Sequence, residues 1–493
     1  MAYDISSPNT GTSLVAQAPD AQRTLWDKGA KLFEQTTDFF RPFEGMAATF
    51  PIESKTDLSK GRGQKITFTT MAGLYGRPHI GEELFENGDH FEQIRLGSND
   101  LEVDWFRHGV RFTERGEEVM GMRGELEVGL PEALGSWLGR LKTKHMFHQF
   151  LKKGDATMNY RFINNRASAN ELRADDTLSH DAIVQTGAQM QRTNGRPAYV
   201  GRDAAKNPIH KYCVVSTSDS LFSLDMDPAY KAAKIDAGSR GPENLIFKGG
   251  YHNIRGHVIK EYTSIDHDGA GPVGSPINPK AELGVAITAG TATFGIKGGG
   301  YADVASLSRV DYFEDFPNFA FRFSPADIVT PATDEFYVAV INQSGADTGK
   351  FGFYACTTNT GGELTVTKRL AAADGAGGAD IKLDQVGEVT WDAAKNTVTH
   401  PEGSLVVLCS KWGAPIGYTL FMGAAASRRG YGKYQRRRVT ENHEGGFVRD
   451  VFIQSVFGQA PRRDVRGRAP GFIVLAHAIS YPGITLDPTT TES

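Results

Sequence analysis

The chain has 493 residues, 40% hydrophobic and 23% charged, a balance that argues against a disordered or membrane-embedded protein and supplies roughly two to four domains. Its formal net charge of -4 is small for this length, so the chain as a whole is no general polyanion binder. Cys213, Cys356 and Cys409 are too few and too far apart for a dense disulfide framework or a paired-cysteine metal site, and fit buried thiols in a reducing compartment.

The first 22 residues lack a basic start and an apolar core, so no signal peptide is expected, and no apolar run is long enough to span a bilayer. Both features imply a protein made and kept in cytoplasm. Residues 1–48 begin small and polar, become amphipathic at Leu25, Trp26, Leu32 and Phe33, and end in the aromatic cluster Phe39, Phe40 and Phe43. This pattern predicts a loose start, a short helix and an arm whose aromatics dock either on the chain's own domain or on another chain.

Residues 64–70 (QKITFTT) and 100–112 (DLEVDWFRHGVRF) alternate apolar and polar positions, with Ile66 and Phe68 on one and Leu101, Val103 and Trp105 on the other. Period two predicts two half-buried strands. Between them residues 76–98 are rich in Gly, Glu and Asp and predict a projecting tip. A two-stranded ribbon is marginal in water, so this hairpin must lie on something else.

Leu126, Leu130, Leu134, Leu138 and Leu141 then recur at helical spacing, extended by Trp137, Met146, Phe147 and Phe150. Five glycines, among them Gly135 and Gly139, each cost about 1 kcal/mol in such a helix, and Pro131 predicts a kink or restart.

Beyond residue 155, strands are expected at 212–216 and 257–265 and a helix at 225–235, an α+β pattern. From residue 266 the composition turns Gly-rich, with β-type runs at 335–341, 351–358, 364–369 and 405–410, which predicts an inserted β-rich domain over 266–402, built as a small sandwich. Residues 447–457 and 471–479 are strongly β-prone, and 482–493 form a Thr- and Pro-rich tail.

Motifs for chemistry are weak. GADTGK (345–350) has one residue too few between its glycines for a phosphate loop, and Phe351 stands where Ser or Thr is required. His145 and His148 lack an intervening Glu and a third ligand, and Asp266, His267 and Asp268 lack the rest of a calcium loop. No catalytic residue, metal site or cofactor is expected.

The run GRPHIGEELFENGDHFEQIRLGSNDLEVDWFRHGVRF (76–112) with the Leu-rich helix behind it resembles the major capsid proteins of tailed bacteriophages, in particular the N-four-type branch. YTLFMGAAASRRGYGK (418–433) and YHNIRGHVIKEYTSI (251–265) are similar to later stretches of the same family. The resemblance implies an α+β, Hong Kong 97-like capsid fold. Its parts would be an N-terminal arm (1–48), an extended loop hairpin with flanking strands (49–112), and a spine helix with peripheral domain and first part of an axial domain (113–265). The inserted domain (266–402) and a return to the axial and peripheral core with the tail (403–493) would follow.

The implied function is a major capsid protein assembling into hexamers and pentamers of an icosahedral phage head around double-stranded DNA, formed in the host cytoplasm. Its partners would be copies of itself, a portal, a scaffolding protein, a decoration protein, and packaged DNA touched non-specifically, with no membrane involved. Candidate subunit contacts are Phe39, Phe40 and Phe43 of the arm, Trp105, and the loop-tip residues Arg77, Glu82, Glu83, Glu86 and Glu92. The acidic tip would need a basic surface, for which Arg428, Arg429, Lys433, Arg436, Arg437 and Arg438 form the densest cluster; that cluster could alternatively face DNA or stay solvated. Some shells of this fold are welded by a Lys of the extended loop, yet no Lys lies between Ile66 and Leu141, which leaves noncovalent burial. An encapsulin-like compartment and a β-rich surface binding protein remain open as alternatives.

Overall fold

The computed structural model describes residues 30–58, 65–71, 94–113, 123–152, 158–193, 195–202, 208–232, 252–254, 257–262, 280–283, 293–297, 335–341, 351–358, 363–373, 404–410, 413–432, 437–443 and 448–479. Two compact units emerge. One comprises Met1–Ala47, Ile52–Met146 and Arg428–Ala460, the other Ala48–Pro51, Phe147–Ser427 and Pro461–Ser493.

The first unit is built on a six-stranded sheet ordered Glu44–Gly45, Ile52–Leu58, Ser427–Gly432, Val448–Pro461, Arg437–His443, with Asp104–Thr113 also pairing Val448–Pro461. A separate hairpin, Lys65–Met71 against Leu96–Glu102, pairs Ile66 with Leu101. Ile66, Phe68, Leu101 and Val103 are buried with Val456, so the support that the ribbon needs is its own unit's sheet. Residues 100–112 are not one strand, as their alternation suggested. At Val103 the chain leaves the hairpin and joins the larger sheet, and the buried set slips by one residue, so Phe106 is buried while Trp105 is 54% exposed.

The helix Arg123–Lys152 is one element with Pro131 inside it, so the chain does not restart there, which was one of the two outcomes expected. The bond missing at the Pro131 nitrogen costs about 3 kcal/mol. Burial of Pro131 itself and of Leu130, Leu134 and Leu138 along the same helix offsets that loss.

The second unit holds a seven-stranded mixed sheet ordered Tyr160–Phe162, Phe472–Ala478, Ile416–Met422, Pro208–Thr217, His257–Tyr262, His252–Ile254, with Ala198–Arg202 also pairing Pro208–Thr217. Its central strands carry Val214, Phe421, Ile473 and Leu475 into a core completed by Ile183 and Met190 of the helix His180–Arg192 and Leu221 and Leu224 of the helix Ser218–Met226. Gly187 lets the first of these helices approach, since a Cβ there would lie 2.2 Å from the His257 ring. Helical residues 228–232 lie within the helix expected at 225–235, whose remainder falls outside the described residues, and the helix Ser218–Met226 before it was not expected.

The strands expected between 335 and 410 are present, but they close instead of stacking as a sandwich. Lys280–Leu283, Thr293–Lys297, Glu363–Ala373, Phe351–Thr358, Glu335–Ile341 and Leu405–Cys409 form a closed antiparallel barrel. Pairing of Lys280–Leu283 with Leu405–Cys409 joins its first and last strands and removes the exposed edges that a sandwich would leave.

Candidate functional site

The most concentrated chemistry in the first unit lies where the N-terminal segment meets the long helix. Helical residues 30–37 pass over Gly135 and Gly139, one helical turn apart. A Cβ at Gly135 would sit 2.6 Å from the Ala30 carbonyl oxygen, and one at Gly139 would sit 2.8 Å from that of Glu34. The glycines that weaken the helix as an isolated element are therefore what allows backbone-to-backbone approach.

That approach brings charged groups together away from water. Lys142 Nζ donates to Glu34, Thr143 Oγ1 donates to Asp38 Oδ1 at 3.4 Å, and the Phe39 amide donates to Thr143 Oγ1 at 3.1 Å. Arg429 NH1 donates to Asp38 Oδ2 at 2.6 Å and to Glu44 Oε2 at 3.1 Å. Glu44 Oε2 also accepts from Arg41 NH1 at 2.8 Å and from the Tyr431 hydroxyl at 3.1 Å. Three cations thus meet three carboxylates, and Lys142 Nζ sits over the Tyr431 and Phe457 rings at 5.0 and 5.2 Å.

Burial sets the electrostatics. Lys142 is pushed below the ordinary lysine range, first by desolvation and then by the Arg429 charge, against the pull of Asp38 and Glu44. Desolvation opposes the ionised form of Glu44, but the Arg429 and Arg41 charges outweigh it and hold the carboxyl below its usual value. Arg429 is likewise opposed by burial yet lies well above its ordinary value because Asp38 and Glu44 face it.

This arrangement corrects the reading of Arg428 and Arg429 as a surface cluster. Ser427–Gly432 is covered on both faces: Arg428 lies over the Phe68 ring at 4.5 Å and donates to Glu53 at 3.3 Å, while Arg429 points the opposite way to Asp38 and Glu44. Neither arginine presents its charge outside the unit. Phe40 is 0% exposed, stacked edge-on against Phe39, and is likewise an internal anchor and no outward contact, whereas Phe39 and Phe43 are half-buried. Trp105 faces outward. Arg437 and Arg438 lie in the strand Arg437–His443. Arg77, Glu82, Glu83, Glu86, Glu92 and Arg436 fall outside the described residues.

Sequence reasoning missed Glu34, Asp38, Glu44, Lys142 and Tyr431. The available signal was Lys142 itself, a cation within the apolar stripe from Leu138 to Met146. His145, weighed as a metal ligand, is buried with its Nδ1 3.2 Å from Gln459 Oε1 and its ring against Phe106 and Phe457.

In the second unit a buried polar chain crosses three neighbouring strands. Ser216 and Thr419 share a hydrogen bond of 2.9 Å, Thr419 Oγ1 lies 3.0 Å from His477 Nε2, and His477 Nδ1 lies 3.1 Å from the Ala478 carbonyl. Burial pushes the His477 pKa down to about 4, so the ring is neutral near pH 7. All three side chains are fully enclosed, which suits a structural strut and excludes substrate access in this conformation.

No family model matches the sequence, and no curated protein does. Among solved structures, the Cyanophage Pam1 capsid asymmetric unit is similar with a TM-score of 0.50 at 11% identity, over 90% of this chain and 92% of that one. The capsid of Ralstonia phage GP4 gives a TM-score of 0.49 at 15% identity, over 90% and 92% of the two chains. The acid-stable capsid of Helicobacter pylori bacteriophage KHP30 gives 0.49 at 11% identity, over 90% and 91%. At such identities the likeness is one of fold: this chain has the α+β, Hong Kong 97-like fold of a phage capsid subunit.

Proposed function

We propose that this chain is a major capsid protein of a tailed phage, of the N-four-type branch, whose copies form hexamers and pentamers of an icosahedral head around double-stranded DNA. The observation that carries this reading is the capsid-subunit fold extending over 90% of the chain, joined to the sequence resemblance of residues 76–112 and 418–433. Head formation takes place in the host cytoplasm, with portal, scaffolding and decoration proteins as partners, and the role is structural rather than enzymatic.

The first unit suggests how a contact is delivered. One face of the hairpin is buried on its own sheet, while the other carries Met71 and its cross-strand partner Leu96, which are 66% and 64% exposed, followed by exposed Ile94. An apolar end on an anchored ribbon is suited to a neighbour. At about 25 cal/mol per Å2 of apolar surface, modest burial repeated against several neighbours closes a shell, while each single contact stays weak enough to correct errors. Phe39, Phe43, Trp105 and the acidic tip from Glu82 to Glu92 are the remaining proposed contacts. Electron microscopy and sedimentation of the purified chain, with and without the proteins encoded beside it, test this function.

A further inference from the structure

We infer that the second unit carries a phosphate-backbone contact surface made of Arg192, Arg196, Arg462, Arg463, Arg466 and Arg468. Three segments meet there through their backbones. The Ala424 amide donates to the Arg196 carbonyl at 2.7 Å, the Arg462 amide to the Ala426 carbonyl at 3.1 Å, and the Gly423 amide to the Gly471 carbonyl at 2.8 Å. A Cβ at Gly195 would lie 2.8 Å from the Pro470 carbonyl oxygen, which sets the 192–196 turn directly beside the 462–470 loop.

Over these segments the cations are all arginine, and the single carboxylate, Asp464, is consumed internally. It accepts from the Arg466 and Arg468 amides at 2.8 and 2.9 Å and from the Arg468 guanidinium at 3.0 and 3.1 Å, while Arg463 NH1 donates to the Gly467 carbonyl at 2.7 Å. These bonds preorganise the turn. Arg192, Arg196 and Arg466 are exposed and Arg462 is half-buried, and none of the four has an ion pair among the described residues. A chain with a net charge of -4 that gathers six guanidiniums on two adjoining segments, Arg192 and Arg196 on one and Arg462, Arg463, Arg466 and Arg468 on the other, presents a local field for a polyanion. Guanidinium forks match phosphate oxygens, and since these segments hold no aromatic side chain and the helix His180–Arg192 brings only its last residue to them, the contact is to backbone and independent of sequence. This rests on the shell reading only in naming the polyanion as enclosed double-stranded DNA.

The test uses the full-length chain and a fluorescent, random-sequence DNA duplex, with anisotropy read between about 50 and 200 mM salt. The variant Arg192→Ala/Arg196→Ala/Arg462→Ala/Arg466→Ala should flatten the slope of log affinity against log salt by about 3 to 4, and the single control Arg173→Ala by no more than about 1. Circular dichroism of the variant should match wild type, because the four side chains support no described contact. No duplex binding at the lowest salt, an unchanged slope in the variant, or equal preference for polyglutamate over DNA would each overturn the inference, the last in favour of an acidic protein surface. Shells formed by the same variant in electron micrographs would leave the capsid reading standing whatever the DNA result.

Discussion

Arg429 shows how a single residue ties distant parts of the chain, since its ion pairs reach Asp38 and Glu44 across nearly the whole sequence. Removing it leaves two carboxylates without their main counterion away from water, so Arg429→Ala should destabilise the chain by about 3 to 5 kcal/mol in denaturant unfolding. Arg429→Lys should recover only part of that loss, because the guanidinium also donates through NH2 to Asp38 Oδ1 at 3.5 Å, a two-nitrogen hold on one carboxylate that a single ammonium cannot reproduce. A second residue-scale prediction concerns acid. The native state holds His477 neutral down to about pH 4, whereas the unfolded ring takes up a proton near 6.5. The unfolded state therefore binds more protons in that window, and stability should fall from pH 6.5 to about 4 by about 3 kcal/mol. Glu44 adds a further loss below its unfolded value of 4.5, since its native pKa is lower still. A pH series of urea midpoints would show both, and a flat profile between 6.5 and 4 would contradict the enclosed histidine. None of this network was legible in the sequence beyond Lys142. Burial of a charge is decided by partners hundreds of residues away, which local pattern does not encode.

At the scale of elements, sequence patterning located the hairpin, the long helix and the strands near 335–341, 351–358, 364–369, 405–410, 447–457 and 471–479, but not Ile416–Met422, Ser427–Gly432 or Arg437–His443. The misses came where two surfaces compete for one stretch. Leu101, Val103 and Trp105 look like one alternation, yet the strand changes sheets between Val103 and Asp104, and only the register with Val448–Pro461 shows it. Gly135 and Gly139 looked like helix defects until a crossing segment was seen on them. Replacing both by Ala should raise intrinsic helicity by up to about 2 kcal/mol yet push residues 30–38 off the helix, so hydrogen exchange there should accelerate while the helix core stays protected. Unchanged exchange over 30–38 would contradict the close approach. At the hairpin end, Met71→Lys with Leu96→Lys should leave unfolding within about 0.5 kcal/mol of wild type, since both side chains are already exposed, while reducing shell yield.

For the molecule as a whole, the fold class was legible and the chain's division was only partly so. Each compact unit is assembled from separated segments, and Arg428–Ala460 returns to strands begun near Ile52. Composition marked the Gly-rich β region, but closure into a barrel depends on Lys280 meeting Val407, a pairing with no local signature. That pairing puts the barrel's entry and exit side by side, so replacing residues 281–406 with a short Gly-Ser linker should leave a soluble, cooperatively folding chain. Aggregation of this deletion would show the barrel to be part of the surrounding core. Self-assembly would be seen at once in negative-stain electron micrographs of the purified full chain read beside its sedimentation profile. Closed icosahedral shells running far ahead of the monomer are expected, alone or once a scaffolding partner is supplied. Monomers or small rings that persist after the proteins encoded beside it are added would contradict self-assembly.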